Sequence, residues 1–375
     1  MARMKMSLFA IAFIGVFILL HLYIYRRLVC KLDLHAKVKQ SLTVFLIVNF
    51  VGIILYMLAR YYPLLPNWLY FLLSLPIGIV FLLFCTALVY DISSLAVRFT
   101  PMQPKRRTFF KRSLDISSLG VAFALSSKAI YEARFVEVED VSICLKNLKK
   151  TYTIAQLSDV HIGSIIDAAF IRSLTAKVNA LKVDAVVITG DLVDIKIPHA
   201  MAALKELQNL KSTYGTFFIA GNHEYFHNLQ EIIDTLKSLG IRVLENESVY
   251  IGEEKAGFNL AGVYDVFGYR TGSYMPEIRD ALAHTCQESP TVLLAHQPRY
   301  VEEVAGNRVD LMLCGHTHGG QIYPFRALVK LQQPYIAGLY RHDDKLQVYV
   351  NKGTGFWGPP MRLGASAEIT HIRLS

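Results

Sequence analysis

The stretch LCGHTHGGQIYP, residues 313–324, ends an apolar run with two histidines two positions apart and follows them directly with two glycines. The apolar run suits a buried strand. Imidazoles grouped at its end are metal-ligand chemistry, and Gly319 and Gly320 would let the loop turn close to an ion, with Gln321 able to hold it by hydrogen bonds. A lone pair of histidines also suits an ordinary strand-end turn, so the rest of the chain has to decide. Four further apolar runs stop in the same way. YTIAQLSDVHIG brings Asp159 and His161, VDAVVITGD brings Asp191, TFFIAGNHEY brings Asn222 and His223, and TVLLAHQP brings His296. Any one of these could be turn chemistry. Five together form a pattern.

Between these runs lie segments of helical character: AAFIRSLTAKVNAL, MAALKELQNLK, and LQEIIDTLKSLG closed by Gly240. FVEVEDVSICL, IRVLEN and GFNLAGVYD add further strands. Strand bodies that are apolar throughout suit sheets covered on both faces, as in a layered α/β fold. Open sheets of that kind place their sites beyond the carboxyl ends of strands, where the ligand-type residues fall here.

Carboxylate oxygen mixed with imidazole nitrogen suits divalent Mn, Fe, Zn, Ni or Co, with manganese favoured, whereas an all-oxygen shell suits Mg or Ca. Asp159, His161, Asp191, Asn222, His296, His316 and His318 are too many ligands for one tetrahedral ion and suit two divalent metal ions sharing a carboxylate. Two such ions, about 3.5–4 Å apart, can clamp a phosphoryl group and activate the attacking water.

The set D-x-H, G-D, G-N-H-E, a lone histidine after a strand, and G-H-T-H-G-G spans roughly residues 150–375. It resembles the calcineurin-like metallophosphoesterase superfamily, in its membrane-attached bacterial branch close to the YkuE-type phosphoesterases. The resemblance implies a four-layer α/β/β/α metallophosphoesterase sandwich with its metals at the strand ends. It implies that Asp159, His161, Asp191 and His318 hold one ion, and that Asp191, Asn222, His296 and His316 hold the other, with Asp191 bridging. It makes His223 a catalytic residue that contacts the phosphate and protonates the leaving oxygen. Glu224 stands where many relatives have Asp, and is expected to orient His223. YVNKGTGFWGPPMRLG, residues 349–364, resembles the family's closing glycine-rich region. It either packs tightly beside the metal loops or places Phe356, Trp357 and Arg362 on a substrate- or bilayer-facing rim.

The front of the chain is of another kind. SLFAIAFIGVFILLHLYIY (7–25), LTVFLIVNFVGIILYMLA (42–59) and WLYFLLSLPIGIVFLLFCTALVY (68–90) contain no Lys, Arg, Asp or Glu and are long enough to cross a bilayer. An all-helical transmembrane region over residues 1–130 and a metallophosphoesterase domain over 131–375 follow. Residues 1–113 carry 14 Lys and Arg against Asp33 and Asp91, so the excess of basic residues flanks the membrane segments. That placement argues against nucleic acid as a partner and for the lipid bilayer. Five cysteines without paired spacing form no disulfide framework. Apart from His21 the spans hold no ionisable group, which argues against a transporter.

Basic residues crowd the loop at 26–39 and the segment at 98–112, while the loop at 61–67 and the N-terminus hold few, which puts the first and third connections in the cytoplasm. Arg106, Arg107, Phe109, Phe110 and Lys111 resemble a twin-arginine export signal, so the export machinery is an expected partner. The 12 uncharged residues 116–127 that follow form a short fourth apolar segment, about 18 Å long as a helix. The expected placement is a multi-pass protein of the bacterial cytoplasmic membrane with its catalytic domain outside. The functional reading is a dimetal-dependent phosphoester hydrolase, using metal-activated water on a membrane or cell-envelope phosphate or diphosphate, with a lipid-linked phosphoester among the candidates. One alternative is a cytoplasm-facing nucleotide or nucleotide-lipid phosphodiesterase or pyrophosphatase. Another is a non-catalytic membrane scaffold, which loss of Asp191 or His223 would favour; both residues are present.

Overall fold

The computed structural model describes residues 2–61 and 65–375, with side chains described for 11–59 and 65–375. The loop expected around 61–67 falls largely on residues 62–64 and, with the side chains of Arg3, Lys5 and Arg60, lies outside the described residues. The chain divides into two compact units, Met1–Glu132 with Gly358–Leu363, and Ala133–Trp357 with Gly364–Ser375.

The first unit is helical: α1 (Ala2–Ile24), continued by a wider turn over Tyr25–Cys30, α2 (Ala36–Tyr61), α3 (Asn67–Phe99) and α4 (Pro104–Glu132). Within α1 to α3, Ile11–Cys30, Ala36–Ala59 and Asn67–Phe99 are long and apolar enough to cross a membrane. Phe17, Ile24, Leu28, Leu46, Ile53, Val80 and Tyr90 form their shared core. Charges gather where these helices meet the basic loop. Asp91 accepts from Tyr23 Oη at 2.8 Å and pairs with Arg27 at 2.9 Å and Lys31 at 3.1 Å.

The fourth segment differs from expectation. Residues 116–127 are the middle of a 29-residue helix, not a short apolar piece. Arg107 donates to the Thr100 carbonyl, and Asp115 accepts from Tyr90 Oη at 2.8 Å, so α4 runs back antiparallel along α3. Asp115, Ser118, Ala122, Ser126 and Ala129 are buried at intervals of three and four, a single helix face. Ile116, Val121 and Phe123 point outward and are exposed. Two of the serines that lower the hydropathy of this segment, Ser118 and Ser126, are buried, while Ser117 and Ser127 share the exposed surface with its apolar side chains. From Asp115 to Glu132 the helix rises about 26 Å.

The second unit holds two six-stranded mixed sheets. The strands are β1 (Val136–Ile143), β2 (Tyr152–Leu157), β3 (Ala185–Ile188), β4 (Thr216–Phe218), β5 (Arg242–Val243), β6 (Glu247–Ile251), β7 (Phe258–Gly262), β8 (Thr291–Leu294), β9 (Leu311–Cys314), β10 (Gly338–Arg341), β11 (Gln347–Val350) and β12 (Ala367–Leu374). One sheet has the order β1-β12-β2-β3-β4-β5 and the other β10-β11-β9-β8-β7-β6. Side chains alternate between two cores, as the two-residue period of a strand requires. In β3, Ala185 and Val187 enter the core between the sheets, while Val186 and Ile188 pack under α5 (Ala168–Ala180), α6 (Ile197–Glu206) and α7 (Leu229–Ser238). In β9, Leu311 and Leu313 face inward, and Met312 and Cys314 face a third core closed by the short helical turns around Ala281 and Val301. The layers are therefore α/β/β/α, with a thin fourth layer.

This architecture positions the site. β2, β3 and β4 are parallel neighbours in one sheet, β8 and β9 in the other. All five end at the same edge of the sandwich, and each is followed by one of the five candidate loops. The closing strand β12 lies between β1 and β2, parallel to the first and antiparallel to the second. Its buried Glu368 is paired with Lys352 at 2.9 Å and accepts from Tyr349 Oη at 3.1 Å, which lets an acid sit inside an apolar strand.

Candidate metal centre

The loops after the strands are tied to one another through the backbone. Asp159 N–H is donated to the Gly190 carbonyl, His161 N–H to that of Asp191, and Gly315 N–H to that of His296, each at 2.9–3.0 Å. Asp159, His161, Asp191, His316 and His318 all adopt left-handed φ values of 50–69°. Such a conformation is uncommon outside glycine, and five cases on one edge mark a place where the surroundings impose strained geometry on functional side chains. Gly190, at φ +91°, shows how tightly the loops meet: a Cβ there would lie 2.7 Å from Gly221 and from His296 Nδ1.

The side chains converge in clusters. Asp159, His161 and His318 form one, Asp191, His296 and His316 a second, and His161, Asp194 and His223 a third that shares His161 with the first. Asn222 Oδ1 lies 3.2 Å from His296 Nε2, which places it with the second cluster. Asp191 Oδ1 accepts from the His223 N–H at 2.8 Å, while Oδ2 lies 3.2 Å from His296 Nε2.

Hydrogen bonds fix which ring nitrogen is free. His296 Nδ1 faces the Thr189 carbonyl at 2.8 Å, an oxygen that can only accept, so Nδ1 carries the hydrogen. Its Nε2 then faces two acceptor oxygens, on Asp191 and Asn222. His161 Nδ1 donates to Asp194 Oδ1 at 2.8 Å, which turns its Nε2 toward His318 Nε2 at 3.0 Å. Asp159 Oδ2 accepts from Ser158 Oγ and the His316 N–H, but Oδ1 is buried without a hydrogen-bond partner, 3.4 Å from His318 Nε2. An orphaned carboxylate oxygen and lone pairs aimed at one another are repulsive unless positive charge lies among them. The residues thus fit divalent cations, with second-sphere acceptors behind the histidines as metal sites require.

Burial would lower His296, but the Asp191 charge holds it well above its ordinary range, so where no cation is bound the imidazole itself carries the positive charge that one would supply. Burial pushes the Asp159 carboxyl up. Burial acts the same way on Asp191, but the charges of His296 and His223 hold it well below the ordinary carboxylate range. Burial and the nearby His296 push His316 down to about 3, so this imidazole stays neutral with its lone pair available.

Two residues have roles that sequence reasoning missed or misassigned. Asp194 lies three residues after Asp191, and no motif singled it out. Its Oδ1 accepts from His161 Nδ1 and, at 2.6 Å, from His223 Nδ1. Burial would raise its carboxyl, yet the two imidazoles keep it well below the usual range. The second is Glu224, which does not orient His223. Its fully buried carboxylate accepts from the backbone N–H groups of Asp191, Leu192, Val193 and Gly221 at 2.7–3.1 Å, clamping two ligand loops together. Burial and the Asp191 charge push it up to about 7 against the pull of those N–H groups. A sixth strand end, after β7, contributes buried Asp265, which accepts from Gln297 Nε2 at 3.0 Å and is pushed by burial up to about 6.

The glycine-rich closing region packs beside the metal loops. Thr354 and Gly355 donate their N–H groups to Ser158 and Asp159. Gln321 exchanges two 2.9 Å hydrogen bonds with the Trp357 backbone, and Gly319 and Gly320 take left-handed conformations before it. Trp357 is 44% exposed with its ring 6.2 Å from His223, a rim position. Phe356 is half-buried against the core beneath α5 to α7. Arg362 is not on a rim: it is fully buried, in a segment belonging to the helical unit, and donates its backbone N–H to Ala129 of α4 at 2.8 Å. The basic end that made it look like a substrate contact is taken inside instead.

Residues 152–320 match the family model of the calcineurin-like phosphoesterases. A metallophosphoesterase of Helicobacter pylori is 36% identical over 370 residues, covering 98% of both chains. One of Campylobacter jejuni is 33% identical over 373 residues, again covering 98% of both. A bovine transmembrane protein with a metallophosphoesterase domain is 38% identical over 233 residues, 59% of this chain and 52% of that protein.

Proposed function

Because this chain belongs to the calcineurin-like phosphoesterase family, and is a metal-dependent phosphoesterase, we propose that it hydrolyses a phosphoester or diphosphate carried by a membrane-bound substrate, with two divalent ions at the strand ends. The observation that carries the reading is the convergence of imidazole nitrogens and carboxylate oxygens from both sheets, with His223 held beside them by Asp194.

Asp159, His161, Asp191 and His318 would hold one ion, and Asp191, Asn222, His296 and His316 the other; manganese suits this mixed oxygen and nitrogen set. When bound, such ions would supply the charge that neutralises phosphoryl oxygens and acidifies water. The chain's own contribution is orientation and proton transfer. With Nδ1–H committed to Asp194, His223 holds Nε2 3.8 Å from Asp191 Oδ2, at the metal cluster. From there it can deliver a proton to the departing oxygen, and Asp194 stabilises the imidazolium that precedes the transfer. Glu224 keeps the Asp191 and Asn222 loops in register while this happens.

Three helices long and apolar enough to cross a membrane favour an amphiphilic substrate, because tethering raises the effective concentration of anything in the same bilayer. Placement of the catalytic unit outside the cytoplasm is supported by the alternation of basic loops and by the return of α4 along α3, which would make four crossings. Exposed Arg106, Arg107, Phe109, Phe110 and Lys111 at the start of α4 support delivery by the twin-arginine machinery. The test is elemental analysis of the purified full chain with a panel of lipid and soluble phosphoesters and diphosphates, with manganese added. Close to two metal equivalents and hydrolysis of a lipid-linked member are expected; a fully active enzyme holding a single ion would overturn the two-ion reading.

A further inference from the structure

Directly after the GHTHGG loop the chain leaves the core for a stretch with an unusual surface. Tyr323, Phe325, Leu328 and Leu331 are 65%, 42%, 54% and 81% exposed, and no residue from 323 to 332 is buried. The stretch is nevertheless pinned at both ends. Ile322 is buried and Gln321 holds Trp357. At the far end buried Gln333 accepts from the Arg299 N–H at 3.0 Å and donates to Gln297 at 3.4 Å. Between the pins, residues 326–329 form a short helical turn. Exposed Arg326 and Lys330 flank the apolar side chains, and residues 321–342 contain no acid at all.

We propose that residues 323–331 are a bilayer-docking element whose partner is an anionic membrane surface. Three features argue for lipid. Tyr, Phe and Leu presented together with Arg and Lys, and no acidic residue, is the composition of an interfacial anchor. The element belongs to a chain with three apolar helices long enough to cross a membrane, so a bilayer is always within reach. Trp357, held by Gln321, is followed at once by Gly358–Leu363, the segment that belongs to the helical unit. Docking there would present phosphates in the headgroup layer to the His223 side of the centre, a consequence that rests on the phosphoesterase reading; the docking itself does not.

The full chain is reconstituted in nanodiscs of phosphatidylcholine with phosphatidylglycerol, and of phosphatidylcholine alone, and amide hydrogen exchange is followed over residues 321–333. Exchange about tenfold slower in the anionic discs is expected, with the difference shrinking as salt is added. Arg326→Gln with Lys330→Gln should abolish the difference between the two discs while leaving the melting temperature unchanged. Equal exchange of the unaltered chain in both discs would overturn the proposal, as would a lipid-dependent difference that survives the double substitution. Absence of hydrolysis of any phosphoester by the metal-loaded chain would count against the phosphoesterase reading alone.

Discussion

Asp194 serves two histidines with one oxygen, and that makes its role separable from theirs. His223→Ala should lower turnover of alkyl phosphoesters by about 10²–10⁴-fold, and of p-nitrophenyl phosphate much less, because only the poor leaving group needs the proton. Metal content should not change. Asp194→Asn should produce the same selectivity and also weaken metal binding by about 10–100-fold, since His161 loses its second-sphere acceptor. Competition with a chromogenic chelator measures this, and identical metal affinity in the two variants would mean that Asp194 acts on His223 alone. Glu224→Gln is a structural test. An amide brings one acceptor oxygen and two N–H groups to a place where four backbone donors converge, so a loss of about 3 kcal/mol is expected. A lowered unfolding midpoint that bound manganese only partly restores would report it.

At the scale of elements, α4 is where hydropathy and structure part. Its mean character is polar because the charged residues toward its two ends, Lys105 to Asp115 and Lys128 to Glu132, outweigh the apolar middle, where Ser118 and Ser126 are buried and Ile116, Val121 and Phe123 are exposed. Ala122→Leu should therefore overpack the buried face and cost about 1–3 kcal/mol. Phe123→Leu, on the outward face, should stay within about 0.5 kcal/mol. Thermal unfolding in detergent compares the two, and equal effects would dissolve the distinction between faces. If α4 completes a fourth crossing, alkaline phosphatase fused after Arg134 should be active; an inactive fusion with intact expression would place the catalytic unit in the cytoplasm. The phosphoesterase strands were easier to read, because β3, β8 and β9 are apolar on both faces and end in ligand-type residues. β12 was not, since Glu368, Thr370, His371 and Arg373 break its pattern, and Lys352 and Tyr349, brought from elsewhere, join Thr370 in satisfying the buried acid.

For the molecule as a whole, the metal edge stores unfavourable electrostatics that cations relieve, so ion binding should stabilise the phosphoesterase unit. At about a hundredfold excess over the dissociation constant each ion adds about 2.7 kcal/mol by mass action. Scanning calorimetry with chelator and then with manganese should show the transition of that unit moving upward; an unmoved transition would mean the folded state gains nothing from the ion. The sequence by itself determined the two-part organisation, the alternation of strands and helices, and the residues gathered at five strand ends, because hydrophobic period and turn chemistry are local and survive in one dimension. Only the tertiary structure decided that Glu224 clamps loops, that Asp194 joins His161 to His223, and that Arg362 is interior. Each depends on which backbone N–H, imidazole or helix end arrives from a distant part of the chain, and burial then sets whether a charged group is a substrate contact or a satisfied strut.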